Sequence, residues 1–467
     1  MAEDTTPLLE AAHNSVYNRF SLSQKRIIVA LVSSSATLPM FASGMFIPTI
    51  PQIALDLDST GPIISLAVSL SIAGAALGSL IFATYSGFYG RRPMYLYGLP
   101  LLCLGSLGVA RCATIPQLMI FRFIQAFGTS GGMAVGAAVI GDIYKLTERG
   151  RAMGIFFAAS LFGNAISPAV GSWGARYSSW RNVQLGLFAA ACFVFLGMLF
   201  GLPETSHPGT MGKDKIDSEL SEGSERPAPK FKWVWLNPFS CLWLLRSPNL
   251  LLVTITGIAV LLTDYALLLP IAYTIGVRYN ITNEAAIGAC FLPMGLGNII
   301  GAPLAGILSD RVVIKWRARR GGVWVPEDRL RGTLFGAATL VPLSVLLCGL
   351  VTHYVDGPVG LVLNLILFFL NGLGVDLVLS PSSAYCVDIM HSRSAEMMAA
   401  SMGFRSLLLS VAVSGILPSI NRFGLVATNT ASAIFAWCGC LMLWVTIRYG
   451  DKMRAWVDVG YSTIETT

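Results

Sequence analysis

Twelve long apolar stretches constrain this chain of 467 residues more than any other feature, and they come as two sets of six separated by a polar segment. Each stretch is about 17 to 27 residues long, and a helix of that length, rising about 1.5 Å per residue, crosses a hydrocarbon core of about 30 Å. Inside lipid every backbone N–H and C=O must find its partner within its own segment, so such stretches predict helices rather than strands. The sequence therefore predicts an all-α integral membrane protein with twelve transmembrane helices.

The alternation of polar and apolar segments predicts five parts. A tail over 1–26 precedes a six-helix bundle over 27–203, and a linker over 204–249 leads to a second six-helix bundle over 250–447 and a tail over 448–467. The linker is rich in Gly, Ser, Pro and charge, which predicts a flexible segment. The predicted helices are 27–50, 63–85, 94–110, 118–140, 152–173 and 185–202, followed by 250–273, 286–308, 333–351, 359–385, 397–416 and 427–447.

The distribution of charge predicts the orientation of the chain. Only 12% of the residues are charged, whereas an ordinary soluble domain carries about 25%. If both termini are cytoplasmic, 25 of the 32 Lys and Arg residues lie on the inner side, as the positive-inside rule requires. We therefore expect a multi-pass protein of the plasma membrane with both termini in the cytoplasm. The net charge of +7 follows from this topology and does not indicate a nucleic-acid partner.

Residues for catalysis or for a bound cofactor are not grouped in the sequence. The nine cysteines and four histidines show no metal-ligand spacing, and no Gly-x-x-x-x-Gly-Lys phosphate-binding motif is present. We therefore expect no enzyme activity, no metal site, no cofactor and no direct use of ATP. The predicted outer loop after the seventh helix carries a glycosylation sequon at Asn280.

The two halves share short motifs at corresponding positions. Gly78 in the second helix matches Gly301 in the eighth, and Asp142 after the fourth helix matches Asp388 after the tenth. Two matching halves predict two pseudo-symmetric six-helix bundles related by an axis along the membrane normal. This is the architecture of secondary transporters, in which a site between the bundles near mid-membrane opens alternately to the two sides.

Six motifs give the chain a more specific resemblance. They lie at 86–93, 122–128, 163–171, 203–205, 326–330 and 385–388. With these motifs the chain resembles the major facilitator superfamily, and more narrowly its fungal drug:proton antiporter branch with twelve transmembrane helices. The resemblance implies a proton-coupled secondary active transporter that exports a drug, toxin or metabolite by alternating access. It also implies that Arg122, which matches the motif arginine of the fourth helix, takes part in proton coupling.

Two of these motifs depart from the family pattern. The loop between helices two and three carries Gly87-Phe88 where the family usually has an Asp-Arg pair, and the intact pair occurs only in the second half, as Asp310-Arg311. The fifth helix carries Ser167-Pro168 where antiporters usually have Gly-Pro. The first helix, where some relatives have an acidic residue, has none here, so proton coupling is expected to depend on carboxylates of the second half or on a protonatable substrate.

Four charged residues are expected within the membrane, where each costs about 2.5 to 3.5 kcal/mol on insertion scales. These candidates for binding protons or substrate are Arg122, Asp264, Asp376 and Arg405. Two interpretations of Asp376 stay open, because it either binds a proton or substrate, or forms a structural ion pair with Arg405 on the next helix. Two arginines in the membrane also suit an anionic substrate such as an organic acid.

Two further sets of residues are expected to act in the motion of the bundles. Arg91, Arg92, Asp310 and Arg311 are predicted to close a cytoplasmic gate through ion pairs and contacts with helix ends. Small residues repeat every four positions on the fifth and eighth helices and are predicted to form a smooth seam between the bundles. The seam residues are Gly163, Ser167, Pro168, Gly171, Gly297, Gly301 and Ala305. The alternative interpretation is tight packing within each bundle.

The sequence thus favours a proton-coupled exporter of a small organic molecule, with protons, substrate and lipid as its partners and a monomer as its expected state. A dedicated exporter of an endogenous organic acid or secondary metabolite is one alternative. Uptake by symport and a non-transporting membrane sensor built on the same fold are two others.

Overall fold

The computed structural model describes residue 17 and residues 19–145, 148–207, 211–214, 234–281, 283–390, 393–457 and 459–461. Every element in this part of the chain is a helix. Residues 1–16 and 18 of the predicted first tail, 208–210 and 215–233 of the predicted linker, and 458 and 462–467 of the predicted last tail lie outside the described residues. The described end of the linker contains a short 3₁₀ helix over Ser240–Arg246.

Twelve helices in the described part are long and apolar enough to cross a membrane. The first six are α1 Leu22–Asp56, α2 Gly61–Tyr89, α3 Arg91–Arg111, α4 Ile115–Ile143, α5 Gly150–Tyr177 and α6 Trp180–Gly201. The second six are α7 Pro248–Leu268, α8 Glu284–Arg319, α9 Gly336–Tyr354, α10 Gly357–Ile389, α11 Glu396–Phe423 and α12 Leu425–Trp456. The predicted all-α class with twelve transmembrane helices is confirmed.

The helices of the second half end at other residues than the sequence predicts, and α12 continues from its predicted end at residue 447 to Trp456. The predicted helix 250–273 ends at Leu268, because Pro270 has no N–H to donate and the helical hydrogen bonds stop there. The predicted helix 286–308 continues through the polar residues to Arg319. Arg317 and Arg319 lie in its last turn, where positive charge stabilises the carbonyl end of a helix.

The first helix is interrupted near the middle of the bundle. Its regular part ends at Gly44, a 3₁₀ turn follows over Ile47–Thr49, and a short helix over Ile50–Asp56 completes the span. Pro48 and Pro51 lie in the first turns of these two short helices, where a missing N–H costs no hydrogen bond. The interruption leaves main-chain carbonyls of α1 free to bind side chains from other helices.

Glycines allow equivalent helices of the two halves to cross closely. Gly78 of α2 faces α4, where a Cβ atom at this position would lie 2.6 Å from the carbonyl oxygen of Phe127. Gly301 of α8 faces α10, where a Cβ atom would lie 3.0 Å from the carbonyl oxygen of Leu373. The two matched glycines therefore make the same contact, and the chain consists of two pseudo-symmetric six-helix bundles.

We expect Gly297→Ala to destabilise the second bundle. A Cβ atom at Gly297 would overlap with the carbonyl oxygen of Phe369 and lie 2.9 Å from the nitrogen of Leu373, both in the backbone of α10. Backbone atoms cannot turn away, so the helices must separate, at an expected cost of about 1 to 3 kcal/mol. The midpoint of thermal unfolding in detergent measures the effect. Gly306→Ala on the same helix is the control, since no atom lies within 4 Å of its Cβ position. Equal midpoints for the two variants would contradict the prediction.

The two bundles meet mainly along two helix pairs, α2 with α11 and α5 with α8. Leu80 of α2 is fully buried and packs against Gly403 of α11, where a Cβ atom would lie 2.6 Å from Leu80 Cγ. Among the described residues every ion pair joins two positions of the same bundle. In the described part of the chain, the direct contacts between the bundles thus contain no ion pair.

Candidate functional site

A cavity of about 350 Å³ lies between the two bundles. Residues of α1, α2, α4 and α5 line it from the first bundle, and residues of α7, α8 and α11 line it from the second. Its wall is largely apolar, with a few polar side chains that come from both bundles. These are Ser43, Ser71, Arg122, Gln125, Thr129, Asn164, Asp264, Tyr265, Asn298 and Ser406. Pockets of this size and character hold small organic molecules.

An apolar layer built from both bundles closes one end of this cavity. It contains Phe46, Ile50, Ile64, Leu267, Phe291 and Val413, all of them buried. Tyr273, which follows α7, packs against Gly61 at the start of α2. We call this end the apolar end, and we call the opposite end, where α1 begins and α12 ends, the basic end.

Arg122 of α4 lies at the wall of the cavity and is almost fully buried. Its Nη1 donates to the carbonyl oxygen of Ala42 at 2.9 Å and to Oε1 of Gln125 at 2.5 Å. Its guanidinium carbon lies 4.1 Å from the centre of the Phe46 ring, which gives a cation–π contact. Its Nε has no hydrogen-bond partner, and no carboxylate in the described part of the chain pairs with it. Arg122 is therefore a fixed positive charge held by neutral groups.

The interruption in α1 explains why Arg122 binds there. In a regular helix the carbonyl of Ala42 would accept from the N–H of Phe46, four residues later. The N–H of Phe46 instead donates to the carbonyl of Ser43, at 3.3 Å, so the carbonyl of Ala42 is left for the arginine. Arg122 thus links α4 to the broken segment of α1.

Gln125 continues this polar contact into the rest of the first bundle. It lies one turn after Arg122 on α4, and its Nε2 donates to Ser106 of α3 at 2.9 Å and to Gln184 of α6 at 3.0 Å. Sequence reasoning did not single out Gln125 as a site residue. The signal that could have found it is its spacing of three from Arg122, which places the two side chains on one face of a helix.

Asp264 of α7 lines the same cavity from the second bundle. Its Oδ1 is buried and has no hydrogen-bond partner, and the side chain forms no ion pair with any described residue. The cavity therefore contains one fixed arginine from the first bundle and one carboxylate from the second, each without a partner of opposite charge. The structure brings these two of the four predicted charged residues together.

Asp376 and Arg405 lie beside the cavity rather than in its wall. Asp376 of α10 packs against Gly301, and its Oδ2 is buried without a hydrogen-bond partner. Arg405 of α11 packs against Gly257 of α7, where a Cβ atom would lie 2.9 Å from Arg405 Cδ. The described residues contain no ion pair between Asp376 and Arg405, so the structural alternative for Asp376 does not hold.

The predicted seam between the small-residue stripes is wrong. Gly171 faces α1 of its own bundle, where a Cβ atom would lie 2.6 Å from Met45 Cα, and Gly163 and Ser167 face α1 as well. On α8, Gly297 and Gly301 face α10 of the second bundle. The stripes on α5 and α8 thus fill close crossings within each bundle. Of the remaining predicted seam residues, Pro168 lines the cavity and Ala305 is buried on α8.

A seam between α5 and α8 does exist, but it uses the neighbouring faces of these helices. Gly295 of α8 packs against Ala165 of α5, where a Cβ atom would lie 2.6 Å from Ala165 Cβ. Nearer the apolar end, Gly288 packs against Ser172 and Ala169 in the same way. Both faces of α5 carry small residues, so the repeat alone did not distinguish the face that meets the other bundle.

At the basic end, Arg91 joins three elements of the first bundle. Its Nε pairs with Asp142 in the last turn of α4 at 3.0 Å, and its Nη1 donates to Ser86 of α2 at 3.0 Å. The backbone nitrogens of Arg91 and Arg92 donate to the two carboxylate oxygens of Glu204, at 2.9 and 3.1 Å. A carboxylate at the first N–H groups of a helix is stabilised by the helix dipole. Glu204, which the resemblance placed in a motif, therefore holds the start of α3, a contact that the sequence did not predict.

In the second bundle, Arg329 makes the corresponding contact in place of the predicted Arg311. Arg329 pairs with Asp388 at 2.6 Å and with Asp310 at 3.2 Å, so it occupies the position that Arg91 occupies in the first bundle. Arg311 is exposed and forms no ion pair in the described part of the chain. Arg329 lies in the motif at 326–330. Its partners could not be predicted from the sequence, because they depend on how the long segment after α8 folds back.

Asn280 is exposed in the short connection between α7 and α8, at the apolar end. It adopts a left-handed conformation with φ of 53°, which asparagine tolerates better than most residues. Thr282, the third residue of the sequon, lies outside the described residues.

Comparison with known proteins agrees with this geometry. Residues 32–413 match the model of the family described as Major Facilitator Superfamily. The chain is 26% identical over 441 residues to Efflux pump radE of Floropilus chiversii. The alignment covers 91% of this chain and 80% of the relative. The chain is 25% identical over 322 residues to Citrate exporter 1 of Aspergillus niger. This alignment covers 66% of this chain and 61% of the relative.

A solved structure has the same fold. It is a bacterial homologue of the human lysosomal transporter Spinster in an inward-facing and unoccupied conformation, with a TM-score of 0.68 and 13% identity over 93% of this chain and 99% of that chain. The family match over most of the chain, the twelve helices and the cavity between two bundles lead to one assignment. The chain is a multi-pass membrane protein that belongs to the Major Facilitator Superfamily, whose members are transporters rather than enzymes.

Proposed function

We propose that this protein is a proton-coupled secondary active transporter that exports a small organic molecule by alternating access. One observation carries the proposal: the cavity between the bundles holds Arg122 and Asp264, and no group of opposite charge among the described residues pairs with either. A fixed charge in the membrane is costly, and it is kept where it binds an ion or a substrate. The name of the relative Efflux pump radE supports the direction of export.

Asp264 is the proposed proton site. Among the described residues that line the cavity it alone is acidic, and it lies on α7 of the second bundle. As the bundles rock, the cavity opens to one side and then to the other, so the carboxylate takes up a proton on one side and releases it on the other. Arg122, held on the opposite bundle, binds the polar end of the substrate, and the apolar wall accommodates its carbon skeleton.

A dedicated exporter of an endogenous organic acid or secondary metabolite is the second candidate. A specific observation favours it, since the Nε of Arg122 has no partner and a guanidinium binds carboxylates with good geometry. The name of the relative Citrate exporter 1 is consistent with such a substrate. In this version the acid binds to Arg122 while Asp264 carries the proton.

The setting of this activity is proposed from the charge pattern. The protein acts as a monomer in the plasma membrane with both termini in the cytoplasm, so that the basic end faces inward. Its partners are the small-molecule substrate, protons and the lipid bilayer. In this orientation Asn280 faces outward and is available for glycosylation.

The function is tested by comparing extracellular metabolites of cells that produce the protein with those of cells that lack it, at two external pH values. An exporter driven by protons enriches one or a few organic compounds outside, and more strongly at the lower external pH. Depletion of a compound from the medium would indicate uptake instead. Identical metabolite profiles in both strains would favour a sensor and contradict transport.

A further inference from the structure

A second cavity, of about 360 Å³, lies at the basic end of the second bundle. The last turns of α12, the residues before α9 and the segment that follows α8 surround it. Three arginines line it, Arg320, Arg331 and Arg448, and the side chains of Trp444 and Ile447 border it on α12. It is separate from the cavity between the bundles, and none of its lining residues belongs to the proposed transport site.

Two of these arginines share a single carboxylate. Asp328 is almost fully buried, and it accepts from Arg320 at 2.5 and 2.7 Å and from Arg331 at 3.0 Å. The guanidinium carbon of Arg331 also lies 4.0 Å from the centre of the Trp316 ring, which holds this side chain in place. The pair of guanidiniums is therefore rigid and only half neutralised.

The remaining charges of the cavity leave it positive. Glu327 and Asp451, which also line the cavity, share Arg454, so these three side chains carry one net negative charge. Arg448 is exposed and has no ion-pair partner in the described part of the chain. Four arginines thus face three carboxylates around this cavity, and the excess positive charge lies at Arg448.

We infer that this cavity binds the phosphate of an anionic phospholipid headgroup. Basic cavities between transmembrane helices on the cytoplasmic side suit such headgroups, because arginine binds phosphate through a planar fork of N–H donors. Here Arg448 supplies the free guanidinium, and Arg320 and Arg331 supply a preformed pair beside it. A phosphate in the cavity would complete the charge balance.

The side chains next to the cavity favour a lipid over a soluble phosphate. Trp444 is 51% exposed and Leu441, one turn earlier on the same face of α12, is 60% exposed. Tryptophan is enriched where a helix passes from lipid to water, and exposed leucine beside it offers an apolar surface to an acyl chain. The headgroup and the acyl chain of one lipid therefore contact α12 at two positions that are one turn apart.

The first bundle offers an internal comparison. A cavity of about 370 Å³ lies at the corresponding place, between the end of α6 and the start of α3. Among the described residues that line it, Arg92 alone is charged, and its Nη2 already donates to the carbonyl oxygen of Leu199 at 2.9 Å. We therefore expect a single anionic-lipid site in each chain, in the second bundle.

The test is a binding titration of the purified full-length protein in detergent, followed by native mass spectrometry. The probes are dioctanoyl phosphatidylserine, dioctanoyl phosphatidylcholine and inorganic phosphate. We expect one phosphatidylserine to bind tightly, and Arg448→Gln to weaken its binding about fivefold, as loss of one basic residue at an anionic lipid surface does. Arg151→Gln is the matched control, since Arg151 is also exposed at the basic end and forms no ion pair in the described part of the chain.

The same titration contains the results that would overturn the inference. Equal binding of phosphatidylserine and phosphatidylcholine, or equal effects of Arg448→Gln and Arg151→Gln, would show that this cavity does not select an anionic headgroup. If inorganic phosphate binds as tightly as phosphatidylserine and displaces it, the site takes a soluble phosphate and the lipid assignment fails. Arg448 is exposed, so its replacement leaves the fold intact and the comparison valid.

Discussion

Replacing Asp264 by Asn is expected to abolish proton-driven accumulation of substrate, although the protein still folds. Asparagine keeps the shape of the side chain but cannot bind and release a proton. In proteoliposomes, a pH difference of one unit supplies about 1.4 kcal/mol per proton, which supports roughly tenfold accumulation of a neutral substrate exchanged for one proton. We expect the wild-type protein to approach this ratio. We expect Asp264→Asn to reach equal concentrations on both sides, measured as the substrate retained in the vesicles.

Asp376→Asn is the matched control for this experiment. Asp376 carries the same charge and also has an oxygen without a hydrogen-bond partner, but it lies outside the wall of the cavity. We expect this variant to retain the accumulation ratio, with at most a change in rate. Full accumulation by Asp264→Asn would exclude Asp264 as the proton site, and its loss in Asp376→Asn alone would assign that role to Asp376.

The second large effect is expected from Arg122→Lys, which should reduce the transport rate about 10- to 100-fold. Lysine keeps the positive charge but has no planar fork, so it cannot hold the carbonyl of Ala42 and the amide of Gln125 together while lying over Phe46. A hydrogen bond to a charged group is worth about 1.5 to 3 kcal/mol, and loss of one such bond accounts for a change of this size. Initial rates of transport in proteoliposomes give the measurement.

The kinetics of Arg122→Lys distinguish two roles of the arginine. If Arg122 binds an anionic substrate, KM rises, whereas a role in holding the broken segment of α1 lowers the maximal rate and leaves KM unchanged. Arg405→Lys is the control, since Arg405 is a buried arginine of the other bundle that does not line the cavity. Wild-type rates in Arg122→Lys would refute the role assigned to this residue.

The fold was predictable because the membrane imposes it. Each helix must be long enough to cross the hydrocarbon core and must satisfy its own backbone, so apolar length alone marks all twelve helices. The ends were less predictable, because they depend on single residues. Pro270 ends the helical pattern after α7, and the basic residues up to Arg319 extend α8 beyond the apolar stretch.

The candidate site was predictable only in part. Arg122 and Asp264 were found because a charge in an apolar stretch is rare, and the structure places both in one cavity. The seam was assigned to the wrong face of α5, because small residues occur on two of its faces. Which face meets α8 depends on the rotation of the helix about its axis, and that rotation is decided by packing with all neighbours.

The ion pairs at the basic end hold helices together within one bundle, and in the described part of the chain none of them connects the two bundles. Mobile counter-ions screen charged contacts, but they have little effect on contacts between small apolar side chains. Ionic strength is therefore expected to have little effect on the rate of the step in which one bundle moves past the other. We expect the same turnover rate in dilute and in concentrated potassium chloride. The salt concentration in the cell would then not change the transport rate.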